Sequence, residues 1–190
     1  MKNFFIRSLF VIAVMFMANA AATETETAGK LLWRSKDAGK NGVSDMSYWS
    51  SSQFKGKRFA LAGQGKDGGT VNGFEIAADT NDENAILMIH LPATPGKTYI
   101  VRTRAKAENA SEESKIMLFG VAQNPKKTIG TLPRRLIAPI YHKYAEYELV
   151  TKAPDGVVWD QMTKIQFSFG AKNLKGGKIF FDDIRIFECP

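Results

Sequence analysis

Two adjacent carboxylates, Asp182 and Asp183, interrupt the apolar segment GGKIFFDDIRIFECP that ends the chain. Aspartate is depleted in strands, and a carboxylate taken out of water must be paired, hydrogen-bonded or bound to a metal. Alternation along the segment groups Phe180, Asp182, Ile184 and Ile186 on one face. Asp182 is therefore expected to point inward, unless a β-bulge at the pair changes the assignment.

Other stretches suggest chemistry and fail on context. GQGKDG, Gly63–Gly68, has the letters of a dinucleotide-binding fingerprint but runs into GTVNGFEIA, which cannot form the helix that would meet a pyrophosphate. It reads as a hairpin loop. GAKNLKGGKI, Gly170–Ile179, lacks the spacing of a phosphate-binding loop, and Gly176–Gly177 is suited to the turn into the last strand. DTNDEN, Asp79–Asn84, begins like a calcium loop but has Asn84 at the sixth place and His90 at the twelfth, so it reads as a solvated acidic turn. His90 and His142 are the only histidines and form no zinc-binding pair. No G-x-S-x-G elbow occurs, and the one cysteine, Cys189, is read as an exposed thiol at a loose terminus.

The elements that must position these residues are strands bounded by Gly, Pro, Asn and Asp clusters. They are expected near Leu31–Arg34, Arg58–Gly63, Gly73–Ala77, Ala85–Leu91, Thr98–Ala107, Lys115–Gln123, Tyr144–Thr151, Lys164–Gly170 and Lys178–Phe187. In TYIVRTRAKA, Tyr99, Val101, Thr103 and Ala105 share one face, and Arg102, Arg104 and Lys106 the other. In KIQFSFG, Ile165, Phe167 and Phe169 oppose Lys164, Gln166 and Ser168. One apolar and one polar face per strand predicts an all-β, two-sheet antiparallel β-sandwich. IMLFGVA, Ile116–Ala122, is apolar on both faces, so its second face should be covered by a loop or line a partly apolar groove.

The chain opens with Lys2, Arg7, the apolar run Ser8–Met17 and the small-x-small string ANA. That order reads as a signal peptide over 1–20, with a cut after Ala22 also open, too short to span a bilayer comfortably. A loose lead-in, 21–30, and one domain, 31–188, follow, in a chain secreted or delivered to a periplasm. The net charge of +7 becomes +5 without Lys2 and Arg7, and with no nucleic-acid motif present it does not point to a nucleic-acid partner. A lone cysteine excludes an intrachain disulfide.

LPATPGKTYIVRTRAKAE (Leu91–Glu108), KYAEYELVTKAPDG (Lys143–Gly156) and GGKIFFDDIRIFE (Gly176–Glu188) together resemble carbohydrate-binding modules of the family 4, 9 and 22 type, galactose-binding-like jelly rolls. The resemblance covers about 100 residues and implies a non-catalytic jelly roll that binds a poly- or oligosaccharide. It also implies a structural calcium held by Asp182 or Asp183, beside which hydrogen bonding to backbone amides and ion pairing with Arg185 or another cation stay open. The family's opening Asn-x-x-Phe-Glu segment has a counterpart only in NGFE, Asn72–Glu75, which comes after the first strands.

A sugar site needs flat aromatic faces beside amides, carboxylates or guanidinium groups. Candidates are Tyr48, Trp49, Tyr141, Tyr144 and Trp159, with Arg102, Arg104 and Gln166 as polar partners if their strands share a sheet. The loop Met46–Phe54 is favoured, because Tyr48 and Trp49 sit there among small polar residues. The basic loop Asn124–Arg135, if it binds at all, would favour an acidic polysaccharide or an anionic surface. Two other functions compete: a cell-envelope or extracellular protein-interaction module, and a jelly-roll lyase or hydrolase.

Overall fold

The computed structural model describes residues 29–35, 46–50, 56–77, 85–174 and 176–190. The signal-like segment, residues 21–28 of the lead-in, the Asp79–Asn84 turn and the side chain of Trp49 lie outside the described residues. Twelve strands are described: β1 (Lys30–Arg34), β2 (Ser47–Ser50), β3 (Gly56–Leu61), β4 (Val71–Ile76), β5 (Ala85–Pro92), β6 (Thr98–Glu108), β7 (Lys115–Gln123), β8 (Thr128–Thr131), β9 (Leu136–Pro139), β10 (Ala145–Lys152), β11 (Lys164–Lys172) and β12 (Lys178–Cys189).

They form two antiparallel six-stranded sheets. The first runs β10-β6-β12-β4-β3 with β1 also on β12, and the second runs β2-β5-β11-β7-β8 with β9 also on β7. Their inner faces meet as alternation requires: Tyr99, Val101 and Ala105 from the first sheet and Ile165, Phe167 and Phe169 from the second belong to one buried core. Aromatic pairs join the layers, with Tyr99 5.8 Å from Phe167 and Phe181 edge-on to Phe169 at 5.7 Å between ring centroids.

Several expectations need correction. Met46–Phe54 is not simply a loop, because Ser47–Ser50 forms edge strand β2 against β5. The Asn124–Arg135 loop contains β8, and β9 follows it; both lie on one flank of β7. Cys189 ends β12, half-buried and in register with Thr98, rather than sitting on a loose terminus. The largest departure is in β12 itself. Its register on β6 shifts between Asp182 and Arg185, and Asp183 has φ of 46°. This bulge returns Ile184 and Ile186 to the core with Phe181, and leaves Phe180 and Asp182 on the opposite face.

Tyr99 ties the β5–β6 turn to the end of β12. Its hydroxyl accepts from the Thr94 amide at 2.9 Å and lies 3.1 Å from a Glu188 carboxylate oxygen. Burial pushes the Tyr99 phenol up to about 12 from 10.0, with the Thr94 bond opposing the rise and Glu188 adding to it. A folded-state value above the unfolded one gives stabilisation that is complete below pH 10 and lost as pH rises toward 12. Denaturant midpoints should therefore fall across that window. Tyr99→Phe should flatten the fall and cost about 1 kcal/mol at neutral pH. Tyr144 and Tyr147 are raised in the same direction by burial, so part of the slope should remain.

Candidate functional site

The bulge lies where β12 changes neighbours on one flank. Residues 178–181 pair with β4, residues 185–188 pair with β1, and β6 stays on the other flank throughout. At the changeover the ladder is interrupted, and side chains supply the missing partners. Ser35 Oγ accepts from the Ile184 amide at 3.1 Å, and Thr103 Oγ1 donates to the Asp182 carbonyl at 3.1 Å. Asp182 Oδ1 accepts from the amides of Asp183 (2.8 Å) and Lys66 (3.0 Å).

The GQGKDG loop thus has a role that dinucleotide binding does not explain. It connects β3 to β4, and its Lys66 amide holds the Asp182 carboxylate. Gly65 is required by this close approach, since a Cβ there would lie 2.5 Å from Asp182 Oδ1.

Four cations complete the cluster. Arg104 reaches Asp182 Oδ2 at 3.2 Å; Arg34 reaches Asp183 Oδ1 at 3.2 Å. Arg185 and Lys66 Nζ face Asp183 Oδ2 at 3.4 and 3.5 Å. Both carboxylates are almost fully buried, 3% and 5% exposed. Calcium needs six to eight hard oxygens, and its charge would enter a site where four cationic groups already face two carboxylates. This donor set does not fit the ion. Among the described residues, no three His, Cys, Asp or Glu side chains converge as metal ligands.

Arg102, Arg104 and Lys106 continue the outward face of the first sheet. Arg104 and Lys106 stack over Tyr144 at 4.9 and 5.4 Å, Lys106 over Phe180 at 4.7 Å and Arg102 over Phe187 at 5.7 Å. Arg102 Nε also donates to Glu148 at 2.7 Å. A pocket of about 320 Å³ opens here among Arg102, Arg104, Arg185, Glu146, Glu148 and Asp183. Its walls are charged in both signs, and the neighbouring aromatic faces carry cations.

Gln166 is elsewhere. β11 belongs to the second sheet, so Arg102 and Arg104 do not share a face with Gln166. Tyr48 packs toward the core, 6.4 Å from Phe74. Trp159 also packs on the core and lies close against Gly130. Tyr141 is 56% exposed before β10, and Trp49 is the cross-strand partner of Ile86. Of the eight candidates, Arg102, Arg104 and Tyr144 thus come together on the first sheet, and the other five are dispersed.

The outward face of the second sheet assembles a different set. The cross-strand rows Ile137–Met117–Gly170–Ile86 and Phe119–Ser168–Met88 make an apolar half. The rows Thr131–Val121–Gln166–His90 and Gln123–Lys164 make a polar half. Gln123 Nε2 donates to Gln166 Oε1 at 3.0 Å, and Gln166 Nε2 to Ser168 Oγ at 3.1 Å, which fixes the amides in one orientation. Among the described residues this face has no Asp or Glu. Phe119 and Gln123 were not singled out from sequence, although the second apolar face of IMLFGVA, Ile116–Ala122, included Phe119.

No family model and no curated protein matches the chain. The solved structures it resembles are mostly carbohydrate-binding modules of the jelly-roll type. The CBM22-1 xylan-binding domain from Paenibacillus barcinonensis Xyn10C is 10% identical with a TM-score of 0.56, over 85% of this chain and 96% of that one. The CBM22-1–GH10 modules of a Clostridium thermocellum xylanase, in complex with xylohexaose, are 12% identical at 0.53, with 84% of this chain covered. The enzymatically active domain of a bacteriophage CBA120 tailspike is 11% identical at 0.56, with 80% covered. This chain spans 29% of that xylanase structure and 20% of the tailspike. At identities this low, the structural likeness establishes a shared fold and nothing beyond it.

The cation cluster makes a stability prediction. Melting with calcium and with EDTA should agree within about 1 °C, whereas Gly65→Ala and Arg104→Met should each cost about 2–4 kcal/mol by leaving buried carboxylates short of partners. A melting temperature several degrees higher with calcium would contradict the cationic reading.

Proposed function

We propose that this chain is a non-catalytic carbohydrate-binding sandwich, exported from the cell that makes it, whose outward face on the second sheet holds a saccharide chain. The observation that carries this reading is the division of that face into an apolar half and an amide half. Sugar rings present C–H faces that gain from apolar and aromatic contact, and hydroxyls that need fixed donors and acceptors. Phe119, Met88 and Met117 suit the first, and Gln123, Gln166 and His90 the second.

The resemblance to carbohydrate-binding modules supports the reading, and the signal-like start of the sequence supports export. The paired charges of the first sheet favour it over the other face, because a sugar there would have to displace ion pairs and stacked cations.

The test is retardation of the purified protein in native gels containing single polysaccharides, with a glycan array to widen the panel. A polysaccharide should retard the protein. Phe119→Ala and Gln166→Ala should each weaken binding about threefold to tenfold, the scale of one stacking contact or one hydrogen bond. Absence of glycan binding across the panel, or variants that bind like the parent, would overturn the assignment.

A further inference from the structure

The polar half of the proposed saccharide face ends in a group of lysines that neutral sugar binding does not require. Lys164 stands at the start of β11, in register with Gln123 on one side and Pro92 on the other. Three and four residues beyond the end of β7, the turn into β8 presents Lys126 and Lys127.

That turn is fixed from within. Asn124 Oδ1 accepts from the amides of Lys126 and Lys127, each at 2.9 Å, and the Asn124 amide donates to the Lys127 carbonyl at 3.0 Å. The backbone is thereby held while both ammonium groups stay in solvent. Among the described residues, none of the three lysines has an ion pair. Asp160, on the short 3-10 turn Trp159–Gln161 that precedes β11, is the acidic residue nearest in sequence to Lys164.

The opposite sheet shows what this chain does with cations that serve packing. There Arg34, Lys66, Arg104 and Arg185 are matched to Asp182 and Asp183, and Arg102 to Glu148. At the end of the second sheet the charges have no such match. They adjoin a pair of oriented amides on a face that has no carboxylate among the described residues.

We propose that the saccharide held on this face is anionic, a polysaccharide carrying carboxylates along its chain, and that Lys164, Lys126 and Lys127 meet those groups where the Gln123–Gln166 pair meets the hydroxyls. Lysine suits the task as a mobile point charge, able to follow carboxylates whose spacing varies along a polymer. The inference rests on the saccharide reading of this face and adds the class of ligand.

A matched pair of polymers tests it. Polygalacturonate and highly methyl-esterified galacturonan share a backbone and differ in charge, so retardation by each can be compared in native gels at low and moderate salt. The full chain should bind polygalacturonate about tenfold more tightly at low salt, and added salt should narrow the difference. Lys126→Ala, Lys127→Ala and Lys164→Ala combined should remove the preference; the Asn124 turn is kept, because its donors are backbone amides.

A control variant, Lys57→Ala with Lys97→Ala and Lys143→Ala, removes the same charge from other places and should retain the preference. Equal binding of the two polymers would overturn the inference, as would equal loss in both triple variants, which would mean undirected attraction of a basic protein to a polyanion. Either result leaves the saccharide reading intact if a neutral glycan still binds through Phe119 and Gln166. Failure to bind any glycan would overturn both.

Discussion

β12 keeps one neighbour along its whole length and exchanges the other halfway, and the rest of the sandwich depends on how that exchange is closed. A continuous strand between β6 and a single partner would need no carboxylates. With β4 leaving and β1 entering, the ladder has a gap, and the extra residue of the bulge falls there. Asp182 and Asp183 fill the gap with acceptors for amides and cations from β1, β6 and the β3–β4 loop. Net stabilisation from buried ion pairs is small, because desolvation offsets most of the attraction. Their effect is on register. A slip of one residue would move Phe181, Ile184 and Ile186 out of the core and strand two carboxylates in it.

The same constraint explains what sequence could and could not reveal. Where a strand's environment is uniform, alternation suffices: β6 and β11 bury the residues their patterns indicate, and β7 spans the expected Lys115–Gln123. At Asp182 the pattern fails by one residue, since nothing local announces a bulge whose cause is a change of partner. β2, β8 and β9 were missed for a related reason. Each has four residues, and its strand character comes from an exposed edge on β5 or β7 rather than from its own composition.

Candidate binding residues were harder to read, because residue type is local and sheet membership is not. Arg102, Arg104 and Gln166 each lie on an outward face, as alternation indicated, but the faces are on opposite sides of the molecule. Tyr48 and Trp159 read as candidate surface aromatics and instead pack on the core. The glycines of GQGKDG were legible as a loop. Their use as a cradle for Asp182 depends on a residue 116 positions further along the chain.

The two outward faces then differ for one physical reason. Charge on the first sheet closes a structural gap, so its arginines and aromatic rings are engaged with one another and offer a ligand little that is not already paired. The second sheet has no such gap at its centre. Its middle strand β11 has the same two neighbours, β5 and β7, from Lys164 to Gly170, and regular pairing satisfies its backbone without side-chain help. Side chains on that face are released from structural work. Glutamines can be oriented by one another, apolar groups can remain half-exposed, and lysines can stay unmatched. Closing the fold through ions on one sheet is what leaves the other sheet available for a ligand.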